Sequence, residues 1–155
     1  MARSDDSSIN TLCSRTEEPV ICRACLQADP NSKSADGQGL ALMAISCAER
    51  DTTFLHGDTF NLLQNATGHL KGILDDCTQR SFLAQQEFLP AARYVQEGQY
   101  DSAIDVIAEE IIPSVMYCLK LFDQNPEWPV PQLVLAGTVA SNQTCRNAVE
   151  ILRSI

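Results

Sequence analysis

No stretch of this 155-residue sequence is apolar over the roughly 20 residues that a membrane span needs. Basic residues are also scarce, because 11 Lys and Arg stand against 20 Asp and Glu, for a net charge of −9. A nucleic-acid partner or an anionic membrane surface requires clustered Lys and Arg, so both are excluded as expected partners. The charge suits a protein partner with a basic or neutral surface.

Catalytic motifs are missing as well. The sequence contains no GxSxG, no P-loop and no HExxH. Its only histidines, His56 and His69, have no nearby Cys pair, so they predict neither a general base nor a zinc site. Asp75 and Asp76 are adjacent, and on a helix their side chains diverge. We therefore predict a protein that is not an enzyme and uses no metal, cofactor or small-molecule substrate.

Helical periodicity dominates from Ser34 onward, whereas the alternation typical of β-strands is absent. Apolar residues recur at steps of four and three from Gly68 to about Glu97, and again from Tyr100 to about Asp123. This repeat predicts two long amphipathic helices. Less regular apolar stripes predict two more helices, over 35–65 and 131–155.

The first and the last predicted helix each contain residues that we expect to face inward. In the first they are Leu40, Met43, Cys47, Phe54 and Leu62, and in the last Leu133, Ala140, Ala148, Ile151 and Ile155. Inside the two middle helices, Pro90 predicts a kink and Pro113 a bend, because proline removes a backbone donor. The tripeptide His56-Gly57-Asp58 is a candidate break in the first helix.

The links between these helices are short. Gln96-Glu97-Gly98-Gln99 suits a tight antiparallel turn, and residues 125–131 contain three prolines that no helix can cross. Four such helices predict an all-α, up-and-down four-helix bundle over residues 35–155. Residues 1–34 form an N-terminal tail and helical hairpin within the same single domain.

Cysteine spacing predicts two disulfides. Cys77 and Cys118 lie on inward faces of neighbouring helices, equally far from the predicted turn, so antiparallel packing places them level. Cys13 and Cys22 flank a polar segment ending in proline, which predicts a stapled hairpin. The alternative for Cys77 and Cys118 is a pair of buried free thiols. Cys22 and Cys25 have the spacing of a redox motif but lack the βαβ context that it needs.

Cys25, Cys47 and Cys145 remain as free or unassigned thiols, and the odd total leaves at least one free unless another chain supplies a mate. Seven cysteines favour an oxidising compartment, and the polar first ten residues contain no signal peptide. We therefore expect a mature, secreted, extracellular protein, with the vacuole as a second location. The sequons at Asn65 and Asn142 are candidate glycosylation sites.

Several segments, taken in order, resemble one family. They are Cys13 and Cys22 with eight residues between them, Asp29-Pro30-Asn31-Ser32, Ala35-Asp36-x-x-Gly39-Leu40-Ala41, Leu70-x-x-x-Leu74-x-Asp76-Cys77, Tyr100-x-x-Ala103 and Cys118-x-x-x-Phe122. Over about Ile9 to Ile155 the chain resembles the plant invertase inhibitor and pectin methylesterase inhibitor family. The resemblance implies a four-helix bundle with an N-terminal hairpin, the same two disulfides, and secretion to the cell wall or vacuole. Where the family commonly has Tyr, this chain has Ser81.

The resemblance implies an inhibitor of a plant cell-wall carbohydrate enzyme. Cell-wall invertase inhibitors are known for a Pro-Lys-Phe segment that enters the sucrose site, and the matching Gly98-Gln99-Tyr100 has neither Pro nor Lys. We therefore expect a reversible, stoichiometric complex that covers the substrate cleft of pectin methylesterase. Inhibition of acid invertase is the alternative, and a non-inhibitory structural or allergen-like bundle is a further one.

The expected partner-facing residues follow the predicted turn. They are Gln99, Tyr100, Asp101, Asp105 and Glu109. The three carboxylates step by four and so share a helix face. One interpretation is a solvated face, and the other is a surface that mimics galacturonate carboxylates.

Overall fold

The computed structural model describes residues 6–155, the side chain of Asp6 excepted, and these residues form helices with short connections. The helices are α1 (Asp6–Cys13), α2 (Pro19–Ala28), α3 (Gly37–Asn65), α4 (Gly68–Gln96), α5 (Tyr100–Asp105), α6 (Ile112–Asp123) and α7 (Gln132–Ser154). A 3₁₀ turn (Ser32–Ser34) precedes α3, and a π-helical segment (Val106–Ile111) joins α5 to α6.

The long helices form an up-and-down four-helix bundle, which confirms the predicted fold class. Helix α3 packs against α4 and α7. The continuous rod from α5 through α6 packs against the other sides of α4 and α7, which closes the bundle. Helices α1 and α2 form a hairpin that lies on α3 and α7. Short links between consecutive helices make antiparallel neighbours the natural arrangement.

Helix α3 starts at a side-chain cap and runs without interruption. The carboxylate Oδ1 of Asp36 accepts a hydrogen bond from the backbone N–H of Gly39 at 2.9 Å, which satisfies one otherwise free donor of the first turn. The helix continues through His56-Gly57-Asp58, so the candidate break there is wrong. A single glycine inside a helix costs only about 1 kcal/mol, which the packing of a 29-residue helix easily outweighs.

Three residues that we expected to face inward are exposed instead. Phe54 is 63% exposed, Leu133 52% and Ile155 41%. The neighbouring Leu55 and Val134 occupy the core positions, at 2% and 0% exposure. The apolar stripes of these two helices are irregular, so the sequence left the inward-facing position uncertain by one residue. Packing against the neighbouring helices decides which residue is buried.

A π-helical segment ends two residues before Pro113, and the bend expected at the proline itself stays a prediction. A π turn is wider than an α turn because its hydrogen bonds span five residues. Residues spaced by four therefore stay on one line, and Ala103, Ile107, Ile111 and Val115 are all buried. Helix α4 continues past Pro90 to Gln96, and the kink expected at this proline stays a prediction.

Two apolar clusters form the interior. The larger one joins the hairpin to the bundle and contains Ile9, Leu26, Ile45, Phe88 and Ile107 among its buried members. The smaller one surrounds the disulfide between Cys77 and Cys118, near the start of α4 and the end of α6. Among the described residues, no helix is long and apolar enough to cross a membrane.

Candidate functional site

The turn between α4 and α5 is held rigidly by backbone hydrogen bonds. Gly98 has a φ of +75°, the left-handed conformation that favours glycine. The N–H of Gly98 donates to the Val95 carbonyl at 3.0 Å, and that of Gln99 donates to the Tyr94 carbonyl at 2.8 Å. These two bonds make a Schellman motif. The side-chain Nε2 of Gln38 also donates to the Val95 carbonyl at 2.7 Å, which ties the turn to the start of α3.

The two residues after Gly98 point in different directions. Gln99 is exposed, whereas Tyr100 is half-buried and packs against the larger apolar cluster. The aromatic side chain thus contributes to the bundle interior. Of the segment that corresponds to Pro-Lys-Phe, Gln99 is the side chain that projects into solvent.

An acidic face follows the turn, made of Asp101, Asp105 and Glu109. All three side chains are exposed, on α5 and the π-helical segment, as their spacing of four predicted. Between Gly98 and Leu119 the sequence contains no Lys or Arg, so this stretch carries no basic residue that would neutralise the face.

A second pair of carboxyl groups lies beside the acidic face. Partial removal from water raises the pKa of the Glu87 carboxyl from its ordinary value. A hydrogen bond to Glu110 and repulsion by its charge raise that pKa further. Because Glu87 belongs to α4 and Glu110 to the π-helical segment, the negative surface extends across two helices.

An exposed aromatic cluster on α3 and α4 was not predicted from the sequence. The ring of His56 lies 6.5 Å from that of Phe60 and 5.7 Å from that of Phe82, between ring centroids. Phe60 is 45% exposed and Phe82 46%. His56 Nδ1 also lies 3.0 Å from Ser81 Oγ, so the hydroxyl of Ser81, a polar residue on the buried face of α4, has a hydrogen-bond partner. The sequence feature that could have revealed this cluster is that neither Phe60 nor Phe82 falls on the apolar stripe of its helix.

The structure contains three disulfides, one more than the sequence indicated. Cys13 is joined to Cys22 and Cys77 to Cys118, the pairs expected from their spacing. A third bridge joins Cys25 to Cys47, which corrects the prediction that these two thiols are free or unassigned. Their partnership depends on how α2 lies on α3, a tertiary contact that spacing along the chain does not encode.

Cys145 is the cysteine that remains a thiol, among described residues that include all seven. It is completely buried in α7, and this burial raises the pKa of the thiol to about 12. Its reactive thiolate form is therefore scarce at neutral pH.

The other predicted groups lie apart from one another. His69 Nε2 lies 2.8 Å from Asn125 Oδ1 near the start of α4, far along that helix from Ser81 and its partner His56. Among the described residues, no group of three or more His, Cys, Asp or Glu side chains is arranged to hold a metal ion. The sequon residue Asn65 is exposed at the end of α3, whereas Asn142 is half-buried within α7.

Two solved structures share the fold of this chain. A pectin methylesterase inhibitor from Arabidopsis thaliana superposes with a TM-score of 0.70 at 18% identity, over 96% of both chains. A mutant form of an Arabidopsis pectin methylesterase inhibitor gives a TM-score of 0.79 at 17% identity, over 98% of this chain and 97% of the other. These similarities establish the fold.

The family follows from the sequence match. The family model described as "Plant invertase/pectin methylesterase inhibitor" matches residues 7–151, so the chain belongs to that family of proteinaceous inhibitors, which are not enzymes.

Two curated relatives come from both branches of this family. A pectinesterase inhibitor from Actinidia deliciosa is 25% identical over 82% of this chain and 69% of its own length. The "Cell wall / vacuolar inhibitor of fructosidase 2" of Arabidopsis thaliana is 26% identical over 74% of this chain. The match spans 64% of that second relative's length.

Proposed function

We propose that this protein inhibits a plant pectin methylesterase by forming a reversible, stoichiometric complex that covers the enzyme's substrate cleft. Membership of the inhibitor family and the similarity to the Actinidia deliciosa pectinesterase inhibitor support this function. The name of the Arabidopsis thaliana fructosidase inhibitor supports an extracellular or vacuolar location.

The observation that carries the choice of target is the conformation of the α4–α5 turn. Its residues Gly98-Gln99-Tyr100 present neither Pro nor Lys, and the aromatic ring packs on the bundle. The segment by which cell-wall invertase inhibitors are known to enter the sucrose site is therefore not displayed here. The exposed surface next to the turn is acidic instead.

The acidic face suits an enzyme that binds a polyanionic sugar chain. Residues four apart on a helix have Cβ atoms about 5–6 Å apart, so Asp101, Asp105 and Glu109 form a row of negative charges. A cleft that accommodates galacturonate carboxylates would attract such a row, which speeds association and aligns the complex. A rigid turn supports this role, because little conformational entropy is lost on binding.

The first experiment is a paired titration of the oxidised protein against a plant pectin methylesterase and a plant acid invertase. We expect loss of pectin de-esterification with a one-to-one endpoint, and unchanged sucrose cleavage. Loss of sucrose cleavage alone would establish acid invertase as the target, the alternative that the similarity to the fructosidase inhibitor supports. If neither enzyme responds, the inhibitor proposal fails for the enzymes tested, and the non-inhibitory alternative gains support.

A second experiment tests the acidic face. The variant Asp101→Asn/Asp105→Asn/Glu109→Gln removes three charges from it, and we expect at least tenfold weaker inhibition, about 1.4 kcal/mol. A matched control, Asp75→Asn/Asp76→Asn/Asp123→Asn, removes three exposed carboxylates near the opposite end of the bundle and should inhibit like the wild type. Association of the wild type should slow as salt rises. An association rate that does not change with salt concentration, or an equal loss of inhibition in both variants, would refute charge mimicry.

A further inference from the structure

We propose that the secreted protein carries a single N-linked glycan, attached to Asn65, and that the second sequon at Asn142 is unmodified in the folded protein. This inference rests on the secretory location given under the proposed function. The two sequons are equivalent as sequence patterns, and the structure distinguishes them by exposure, backbone conformation and neighbours.

The sequon at Asn65 lies at an open end of the bundle. Asn65 is the last residue of α3, and both it and Thr67 are exposed. Ala66 and Thr67 have extended backbone, with φ/ψ of −89°/154° and −135°/163°. The Asn65 Nδ2 donates to the Asn61 carbonyl at 3.3 Å, a long bond that a glycosylated amide can keep because it retains one N–H.

Space for the first sugar residues exists beside Asn65. A surface cleft of about 440 Å³ lies between α3 and α4 and is lined by Leu63, Gln64, Lys71 and Asp75, among others. Two glycines border it, and a Cβ added at Gly68 or Gly72 would meet nothing within 4 Å. The cleft therefore leaves open space next to the end of α3 for an attached sugar.

The sequon at Asn142 lies within a helix and beneath the hairpin. Asn142 is half-buried, and its Oδ1 accepts a hydrogen bond from Arg146 Nε at 3.3 Å. The hydroxyl-bearing Thr144 is buried and donates to the Ala140 carbonyl at 3.0 Å.

The turn between α1 and α2 covers this part of α7. Arg146 Nη1 lies 3.3 Å from the Glu17 carboxylate, and Asn147 Nδ2 donates to the Glu18 carbonyl at 3.2 Å. Asn142 lines the cleft of about 190 Å³ that remains between this turn, α6 and α7. A branched oligosaccharide on Asn142 would occupy the place of the hairpin turn, so chains modified there fold poorly and are not represented in the folded secreted protein.

The chemistry is an oligosaccharyl transfer from a lipid-diphosphate-linked oligosaccharide. The bond from C1 of the first sugar to the diphosphate oxygen breaks, a bond from C1 to Asn65 Nδ2 forms, and Nδ2 releases one proton. The lipid diphosphate is the leaving group, and nothing is oxidised or reduced.

The position of the glycan has a consequence for binding. Asn65 ends α3 and lies next to the start of α4, whereas the α4–α5 turn follows the other end of that 29-residue helix, about 40 Å away. A glycan on Asn65 therefore leaves the turn and the acidic face uncovered, so the glycosylated and unglycosylated forms should inhibit equally.

The test expresses the full chain behind a secretion signal in a eukaryotic host. Peptide N-glycosidase converts a glycosylated Asn to Asp, and peptide mass spectrometry then locates the site. We expect wild type and Asn142→Gln to lose the mass of one glycan on digestion, and Thr67→Ala to lose none. Thr67→Ser keeps the sequon and should be glycosylated. Thr67 makes no side-chain cap bond, so its replacement removes none.

Each outcome decides the inference. Secreted wild type without a glycan, with one on Asn142, or with two would overturn it. A Thr67→Ala protein that inhibits much better than the glycosylated wild type would overturn the remote placement of the glycan. If neither form inhibits, the proposed function fails, while the mass spectra still decide the glycan site.

Discussion

Removing the disulfide between Cys77 and Cys118 should destabilise this protein more than removing any other bridge. The bridge joins residues 41 apart in sequence, against 22 for Cys25–Cys47 and 9 for Cys13–Cys22. A longer closed loop restricts the unfolded chain more, so its loss costs about 4 kcal/mol, against about 3.4 and about 2.6 kcal/mol for the other two. For a chain of this size, a loss of about 4 kcal/mol lowers Tm by roughly 8–16 °C.

The sharpest comparison is between the longest and the shortest loop. Cys77 and Cys118 are 2% and 4% exposed, and Cys13 and Cys22 are 0% and 2% exposed. Replacing either pair with Ala therefore removes similarly buried sulfur atoms, and packing losses largely cancel. The remaining difference of about 1.3 kcal/mol reports loop length, and it corresponds to roughly a tenfold difference in the unfolding constant.

The assay is urea unfolding of both double variants, followed by far-UV circular dichroism under non-reducing conditions. Both variants should show a larger m-value than the wild type, because the released unfolded chain exposes more surface. If the variant without Cys13–Cys22 lost as much stability as the variant without Cys77–Cys118, loop entropy would not control the ranking. The reasoning from sequence separation would then be refuted.

Three further predictions follow from single residues. Gly98→Ala should lower the free energy of unfolding by about 1 kcal/mol, because φ is +75° at this position. Gly57→Ala should raise it by up to about 1 kcal/mol, because Gly57 is helical and has open space around it. Equal urea midpoints for the two variants would contradict this. Cys145 should be invisible to a thiol reagent in the native protein and count as one thiol after unfolding without reductant; a count of three would contradict the three bridges. Because its folded pKa, about 12, lies above the unfolded value, the stability from the protonated thiol is complete below about pH 8.5 and declines as pH rises toward that folded value. Glu87→Gln should raise the urea midpoint at pH 7, because it removes the charge repulsion between Glu87 and Glu110, and should have no such effect near pH 3, where the Glu87 carboxyl with its raised pKa is protonated. An equal gain at both pH values would exclude a charge effect.

Much of the fold could be predicted because the period of a long amphipathic helix is a local property. The predicted helix from Gly68 to Glu97 ends within one residue of α4, and that from Tyr100 to Asp123 coincides with the continuous rod. The disulfide between Cys77 and Cys118 could also be predicted, because both cysteines lie equally far from the predicted turn. In two antiparallel helices joined by a short turn, residues equally far from the turn lie level with each other.

Other features depend on which helices meet, and the chain alone did not reveal them. Whether Phe54 or Leu55 enters the core is decided by the fit against α7, where Leu55 lies against Gly137. Cys25 and Cys47 pair because α2 lies on α3.

The candidate site divides in the same way. The exposure of Asp101, Asp105 and Glu109 followed from a spacing of four, whereas the inward packing of Tyr100 and the contrast between Asn65 and Asn142 required the assembled bundle. Periodicity is set by neighbours within one or two helical turns, and a sequence displays those neighbours directly. The direction of a single side chain and the cover over a single asparagine are set by segments far away in sequence, and only the packed helices bring these segments together.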